Sequence, residues 1–410
     1  MAGSPEEVLV NFDSRDRFWI YLSGTAILGI TLWIYWGYFF PEWKDYQSDF
    51  RDVVAKRFGP DRAGDVPTGI QQVWTQDLGR VDRCVTCHLG VEWKGLENAP
   101  EPFKSHPREI LAKHPVSKYG CTICHGGQGY ATDTATAHAT TIEHWDDPLL
   151  GKELATSYSV SNRTALKQIN CNICHRYDAQ TPGADFINDA KQLVKQKGCR
   201  ACHTINGRGG VIGPDLSYVG DKSTEQYDYS HLLGVKSVFA WHVAHLKNPK
   251  SMSPESVMPT FGFDSHQAQS LAMLVMSWKR TNLPIVYIPG AAVGDKPTPE
   301  EIAKEQQMQT GEGAFFAKKT CFICHDVSTL GIESATKIGP DLANAYADVQ
   351  ARFGRTLEDF LASPTGTMAM VLSTQIHLTN AEKQEAIAKL KIAYQKKLEQ
   401  EAKAAGGKGR

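Results

Sequence analysis

The ten cysteines of this chain form five copies of one short pattern. In each copy, two residues separate the two cysteines and a histidine directly follows the second cysteine. This C-x-x-C-H pattern is typical of c-type haem attachment, in which both thiols bond to the porphyrin and the histidine binds the iron. The sequence therefore predicts five covalently bound haem c groups.

The predicted attachment residues are Cys84, Cys87, Cys121, Cys124, Cys171, Cys174, Cys199, Cys202, Cys321 and Cys324. The predicted proximal iron ligands are His88, His125, His175, His203 and His325. Structural zinc sites usually pair two C-x-x-C units or add a distant histidine pair, and they give the histidine of this pattern no role. Iron–sulfur clusters use other spacings, and disulfide frameworks belong to short secreted domains. Because haem c is attached outside the cytoplasm, the pattern also predicts a periplasmic location.

An iron that only passes electrons normally has a second protein ligand. Residues 81–185 hold the first three motifs and contain no methionine, so their second ligands are predicted to be histidines. Four histidines outside the motifs lie in this region, for three irons: His106, His114, His138 and His144. Later in the chain, His242 or His245 is an alternative ligand for the third haem.

Methionines are the predicted second ligands of the last two haems, and methionine raises the potential relative to a second histidine. Met258, in a Met-Pro-x-Phe sequence just before a predicted helix, is the candidate for the fourth haem, with Met252 as the runner-up. For the fifth haem, Met370 and Met368 compete, and the distance to Thr379 slightly favours Met370.

Near the N-terminus, residues 18–40 contain no charged side chain and carry aromatic residues at both ends. Such a segment can cross a hydrocarbon core of about 30 Å, with its aromatic residues at the two interfaces. It is too long for a cleaved signal peptide and has no small-residue cleavage site. The flanking positive charges do not favour a cytoplasmic N-terminus, but haem attachment after residue 80 requires one. We therefore predict a single-pass protein of the inner membrane with periplasmic haem domains.

The predicted fold is mainly α with much irregular loop. The net charge of −1 gives no reason to expect a nucleic-acid partner. The predicted segments are a cytoplasmic leader (1–17), the transmembrane helix (18–40), a stalk (41–80), a tri-haem module (81–185), a first haem domain (186–283), a linker (284–299), a second haem domain (300–402) and a disordered tail (403–410).

The two haem domains share one plan. Apolar residues at helical spacing predict a helix over 185–197, directly before the fourth motif. Ile212-Gly-Pro-Asp-Leu216 follows that motif, and Ile338-Gly-Pro-Asp-Leu342 follows the fifth. Further helices are predicted over 238–246, 265–279 and near 357–361. Thr379 with Glu382 is a capping-box pattern for a final helix over 381–402.

On these motifs, residues 186–283 and 300–400 each resemble a class I cytochrome c domain. Residues 1–185 resemble the membrane-anchored multihaem part of cytochrome subunits in bacterial quinol:cytochrome c oxidoreductase (bc-type) complexes. The second resemblance rests on the anchor, the stalk and the run from Tyr119 to Gly129. It implies quinol-oxidising partners of the cytochrome b type, with a Rieske iron–sulfur protein as a further possibility, and a soluble cytochrome or terminal oxidase as acceptor.

The predicted function is electron transfer from membrane to periplasm. One alternative is a quinol dehydrogenase that oxidises quinol itself; against it, 43 residues separate Phe40 from Cys84. The other alternative is a multihaem reductase or di-haem peroxidase, which would need an iron with an open position. No C-x-x-C-K variant is present and the available histidines and methionines suffice for five irons, so we predict no independent catalytic site.

Overall fold

The computed structural model describes residues 13–139, 148–162, 164–334 and 336–406. These residues are mainly helical, with two short two-stranded antiparallel sheets, which confirms the predicted helical class. The chain divides into two compact units, Met1–Ile123 with Gly127–Leu149, and Cys124–Gly126 with Leu150–Arg410. The second motif contributes residues to both units.

The first unit contains α1 (Ser14–Phe39), α2 (Trp43–Phe58), α3 (Pro60–Ala63), α4 (Arg108–Lys113), α5 (Val116–Tyr119) and α7 (Thr134–His138), with β1 (Val73–Thr75) paired to β2 (Arg80–Asp82). Helix α6 (Thr122–His125) covers the second motif. The second unit contains α8 (Lys152–Ser157), α9 (Gln168–Cys174), α10 (Asp185–Gln196), α11 (Val238–Lys247), α12 (Pro249–Met252), α13 (Ser265–Ser277), α14 (Pro299–Met308), α15 (Ala314–Lys318), α16 (Ala345–Phe353), α17 (Leu357–Ala362), α18 (Thr367–Thr374) and α19 (Asn380–Gly406), with β3 (Thr204–Ile205) paired to β4 (Arg208–Gly209).

Helix α1 is the long apolar segment of the N-terminus. At its start, the Asp13 carboxylate accepts hydrogen bonds from the backbone of Arg15 and Asp16, at 2.8 and 2.7 Å. At its end, the Lys44 ammonium donates to the carbonyl of Phe39 at 2.8 Å, which suits the negative end of the helix dipole. Its length and composition would allow it to cross a membrane, which supports the predicted span.

Helix α2 belongs to the same hydrophobic core as the first motif. Phe50 and Val54 are fully buried against Leu89, Leu96 and Phe103. Within the predicted stalk of residues 41–80, the apolar face of α2 gains its burial by packing on the segment that follows the motif. Full burial of one such side chain contributes about 1.5–3 kcal/mol.

The third motif shares a core with the fourth. Leu166 and Ile169, just before Cys171, are buried with Ile187 of α10 and Leu271 of α13. The sequence predicts this motif to belong with the first two, in a tri-haem module over residues 81–185. The packing differs because the apolar residues around the motif lie against the α10–α13 helices instead.

A further core surrounds the fifth motif. Phe316 precedes the motif, and its side chain is buried together with Ile332 and with Leu390 of α19. The Thr379 backbone donates to Glu382 at 2.9 Å and the Glu382 backbone donates to the Thr379 hydroxyl at 3.3 Å. This pair confirms the predicted capping box at the start of α19.

Residues 284–299 are attached to the surface around the fourth motif. The Asp295 carboxylate accepts hydrogen bonds from Arg200 and Asn206, and a salt bridge links it to Arg208. Arg200 lies inside the fourth motif itself. Asp295 of the predicted linker is therefore hydrogen-bonded to the haem domain that precedes it.

Candidate haem-binding sites

All ten motif cysteines are half-buried. They form five pairs along the sequence, as covalent attachment of separate porphyrins requires. Within the described residues, no three histidine, cysteine, aspartate or glutamate side chains come together as a metal cluster.

In the haem motifs, the backbone makes one turn between the first cysteine and the histidine. In the first, third, fourth and fifth motifs, the histidine backbone N–H donates to the carbonyl of the first cysteine. The four distances are 2.9 Å for His88, 3.0 Å for His175, 2.9 Å for His203 and 3.0 Å for His325. The same backbone turn therefore recurs in these four motifs.

The fourth and fifth motifs have the same surroundings. His203 Nδ1 lies 2.8 Å from the carbonyl oxygen of Pro214, and His325 Nδ1 lies 2.8 Å from that of Pro340. Because a carbonyl only accepts hydrogen bonds, each Nδ1 must carry the proton. Each Nε2 then keeps the lone pair that an iron needs, so the two imidazoles fit a proximal ligand.

The repeated Gly-Pro-Asp-Leu sequence makes room for these rings. A Cβ atom on Gly213 would lie 2.5 Å from Cε1 of His203, and one on Gly339 would lie 2.2 Å from Cε1 of His325. Real Cβ atoms do not come so close to another side chain, so any other residue would displace the imidazole. The glycines thus explain why the sequence is repeated after both motifs.

Burial favours the neutral form of these imidazoles. It lowers the pKa of His203 and of His325, even though the carbonyl contacts act in the opposite direction. Burial also lowers the pKa of His88 in the first motif. A neutral imidazole is the form that binds metal.

The third motif has a different acceptor. His175 Nδ1 lies 2.6 Å from a carboxylate oxygen of Asp178, in a pair that is about three-quarters buried. The Lys191 ammonium closes the site by donating to the carbonyls of His175 and Asp178, at 2.8 and 2.7 Å. Sequence reasoning missed Asp178, although its position three residues after the motif histidine was the available signal.

In the first motif, His88 lies opposite a predicted second ligand. The ring centres of His88 and His138 are 6.3 Å apart, with an interplanar angle of 47°. On its other side, His88 is hydrogen-bonded to the backbone of Pro102, which parallels the proline carbonyls of the later motifs.

The remaining predicted histidines have other contacts. His106 Nδ1 is 3.2 Å from the carbonyl of Pro107, and His114 packs edge-on against Tyr119 with ring centres 5.0 Å apart. His144 lies outside the described residues. His242 Nε2 lies 3.0 Å from the Tyr227 hydroxyl, so this nitrogen already has a partner. Burial of His242 lowers its pKa to about 3. His245 stacks on Trp241 at 4.9 Å.

The candidate methionines lie in two settings. Met258 is half-buried in an irregular segment, whereas Met252 is 4% exposed at the end of α12. Met368 and Met370 both lie on α18, where residues two apart point in different directions. Met368, Leu372 and Cys321 all pack against the core around the fifth motif.

Neighbouring motifs are in contact within each unit. In the first unit, a hydrogen bond with the Cys121 thiol lowers the pKa of Cys84, so the leading cysteines of motifs one and two meet. In the second unit, the Asn170 amide donates to the carbonyl of Cys124 at 3.3 Å, and the Asn172 amide donates to Ser277 of α13 at 2.7 Å.

The fourth and fifth motifs also face each other. Burial and then the nearby Cys202 raise the pKa of Cys324 to about 11. A Cβ atom on Gly198, directly before the fourth motif, would lie 2.3 Å from Cβ of Thr336. The two haem domains therefore approach each other at the residues that carry their cysteines.

Residues 187–279 match the cytochrome c family. Comparisons with curated proteins and with solved structures found no match. The matched range falls within the predicted first haem domain and includes the fourth motif. It supports a c-type cytochrome, that is, an electron-transfer protein with covalently bound haem c.

Proposed function

We propose that this chain is a five-haem c-type cytochrome that carries electrons from a quinol-oxidising membrane partner to a periplasmic acceptor or terminal oxidase. A covalently bound haem supplies an iron that gains and loses one electron at a time. The observation that carries the proposal is the contact between consecutive motifs. Three contacts join motifs one and two, two and three, and four and five: Cys84 with Cys121, Asn170 with Cys124, and Cys202 with Cys324. The third and fourth motifs share one hydrophobic core.

The fifth motif supports a second cytochrome c domain beyond the matched range. Its histidine, glycine and proline repeat the geometry around the fourth motif, with both Nδ1 contacts at 2.8 Å. Leu216 and Leu342 also make equivalent backbone hydrogen bonds, to Thr204 and Asp326 at 2.9 and 2.8 Å. Two unrelated folds would not share these contacts.

Methionine ligation of the last two haems belongs to the same proposal. Met258 remains the candidate for the fourth iron, since the buried Met252 ends a short helix. For the fifth iron, packing favours Met368 over Met370, because Met368 packs against the same core as Cys321. These ligands give the outer haems higher potentials than bis-histidine haems near the membrane, and this difference drives electrons outward.

The proposed location is the inner membrane, with α1 as the span, a cytoplasmic N-terminus and all haems in the periplasm. The proposed partners are a cytochrome b type subunit, a Rieske iron–sulfur protein, and a soluble cytochrome or oxidase. Helix α1 is exposed along its whole length, as a lipid-facing helix would be.

A quinol dehydrogenase that needs no separate quinol-oxidising subunit is the second candidate. Its support is the return of the chain towards the end of α1: the Gln47 amide of α2 donates to the carbonyl of Thr86, inside the first motif, at 3.2 Å. The 43 residues between Phe40 and Cys84 therefore do not separate the first haem from the membrane end of α2.

The test is haem counting followed by reduction. We expect the intact protein, purified from membranes after expression with haem-attachment machinery, to have the mass of the chain plus five haems. Reduction by a quinol should require the co-purified membrane subunits. Fewer than five haems would contradict the proposal, and quinol-dependent reduction of the isolated subunit would replace it with the second candidate.

A further inference from the structure

We infer that His138 is the second iron ligand of the first haem, opposite His88, an inference that rests on the five-haem function proposed above. Two imidazoles that bind one metal from opposite sides have ring centres about 6 Å apart, because two metal–nitrogen bonds of about 2.0–2.1 Å add to the distance from each nitrogen to its own ring centre. The observed separation of the two rings is 6.3 Å, and their interplanar angle of 47° is not that of a parallel stack. The separation matches a shared iron.

The positions of both rings are fixed by their own backbones. On one side, the first-motif turn and the Pro102 contact hold His88. On the other side, His138 ends α7, where its carbonyl accepts a hydrogen bond from the Leu149 backbone at 3.1 Å. The neighbouring carbonyl of Ala137 accepts one from Gln128 at 2.8 Å.

Helix α7 has only five residues, and so short a helix does not persist without outside contacts. The Asp133 carboxylate caps it by accepting from the Thr136 backbone at 2.9 Å. Glu42, at the start of α2, accepts from both the backbone and the hydroxyl of Thr134, at 2.9 and 2.6 Å. The ligand-bearing helix is thus fastened to the chain three residues after α1 ends.

The pairing also limits the choices for the other two irons of the first three motifs. With His138 assigned to the first haem, His106, His114 and His144 remain as candidates for the second and third, beside the alternative of His242 or His245 for the third. The sequence alone leaves this assignment open, since four histidines lie within one region of the chain.

The experiment replaces His138 with alanine in the full-length holoprotein. We expect five haems by mass, with one of the five converted from six-coordinate low-spin to high-spin and newly able to bind carbon monoxide. The matched control is His266→Ala, since His266 is a half-exposed histidine paired with Asp189 at 2.9 Å. That variant should keep five low-spin haems.

A second variant assigns the change to the first haem. In a Cys84→Ser/Cys87→Ser background, which lacks that haem, His138→Ala should produce no additional high-spin signal. If this background does not fold, His138→Met serves instead, and one haem should then gain a methionine–iron absorption band and a higher potential. Five low-spin haems in His138→Ala would overturn the inference, whereas a mass with fewer than five haems in the unmodified chain would overturn the proposed function.

Discussion

The motif histidines differ in the acceptor that holds Nδ1. His203 and His325 donate to proline carbonyls, which are neutral, whereas His175 donates to the carboxylate of Asp178. A carboxylate partner makes a metal-bound imidazole more basic and a stronger electron donor. The more electron-rich imidazole stabilises the ferric iron, so the third haem should have a lower potential than a carbonyl partner would give it.

Replacing Asp178 with asparagine tests this effect. The amide oxygen can still accept from His175 Nδ1 but carries no charge, so we expect the potential of the third haem to rise. A tenfold change in the equilibrium constant corresponds to about 59 mV for a one-electron couple, and the expected rise is of this order. A redox titration followed by visible absorption measures it.

The control for Asp178→Asn is Asp189→Asn. Asp189 also pairs with a histidine, but its partner His266 is half-exposed and outside the motifs. That variant should leave all five potentials unchanged. A titration in which Asp178→Asn also shifts none of them would show that the carboxylate does not act on the iron.

Among the elements, α7 is attached to α2 through Glu42. Two hydrogen bonds from Thr134 lower the pKa of Glu42 below its ordinary value of 4.5. A carboxylate with a lowered pKa in the folded state stabilises that state above its ordinary pKa, and this contribution is lost as the pH falls through the lowered value. The attachment of α7 to α2 should therefore weaken only in acid.

The prediction for α7 concerns the pH at which His138 leaves the iron. On acidification below about pH 4.5, the ordinary carboxyl range, the unmodified protein should gain one carbon-monoxide-binding haem. Glu42→Ala should show part of this signal already at pH 7, because the contacts to Thr134 are absent at every pH. Glu333→Ala is the control, since the pKa of Glu333 is lowered by Lys304 in the other unit. Equal profiles for Glu42→Ala and the unmodified protein would contradict the role of Glu42.

A second element-scale prediction concerns the approach of the fourth and fifth motifs. Gly198 has a positive φ of 62°, and a side chain there would meet Thr336 and Ile338. Gly207 also has a positive φ, of 75°, but a Cβ atom there would meet nothing within 4 Å. Left-handed backbone costs an alanine roughly 1–2 kcal/mol, so the two sites share this strain and differ in the contact.

We expect Gly207→Ala to lower stability by the strain alone, about 1 kcal/mol. Gly198→Ala should cost more, because the fifth-haem domain must move away from the fourth motif. The measurement is thermal unfolding, together with the rate of protease cleavage within residues 284–299. Faster cleavage in Gly198→Ala only would support a fixed contact between the two domains, and equal cleavage would indicate that the contact is dispensable.

At the scale of the whole molecule, local sequence patterns predicted the elements better than their grouping. The helices over 185–197 and 238–246 and the capping box at Thr379 follow from periodicity and capping chemistry, and they are confirmed within a residue or two. The motif cysteines and histidines were identified from their spacing alone, and their binding of haem stays a prediction. Which segments pack together depends on long-range burial, which no short window of sequence contains.

The packing of the third motif illustrates this limit. Leu166 and Ile169 have an apolar character that the sequence shows, but not the identity of the core that buries them. The same holds for Phe50 and Val54 of α2. Asp178 and Glu42 escaped notice for a related reason, since one carboxylate among many is informative only once its partner is known.

The order of the motifs makes a final prediction about where electrons enter and leave. Glu42 and Gln47 place α7 and the first motif beside the start of α2, directly after the membrane-spanning candidate. The fifth motif is the last along the chain and lies beside the fourth. If electrons enter at the first haem and leave from the fifth, then removing either haem should block a different step.

The matched pair of variants is Cys84→Ser/Cys87→Ser and Cys321→Ser/Cys324→Ser, each lacking one haem. In membranes supplied with quinol, the first variant should leave its four haems oxidised, although a soluble chemical reductant should still reduce them. The second variant should be reduced by quinol as fast as the unmodified protein, but it should pass electrons to an added soluble acceptor far more slowly. Stopped-flow absorption measures both steps. Rapid quinol-dependent reduction of the first variant would place electron entry at a later haem. Undiminished reduction of the acceptor by the second variant would make the fourth haem the exit, because the fourth-haem domain would then reach the acceptor without the fifth haem.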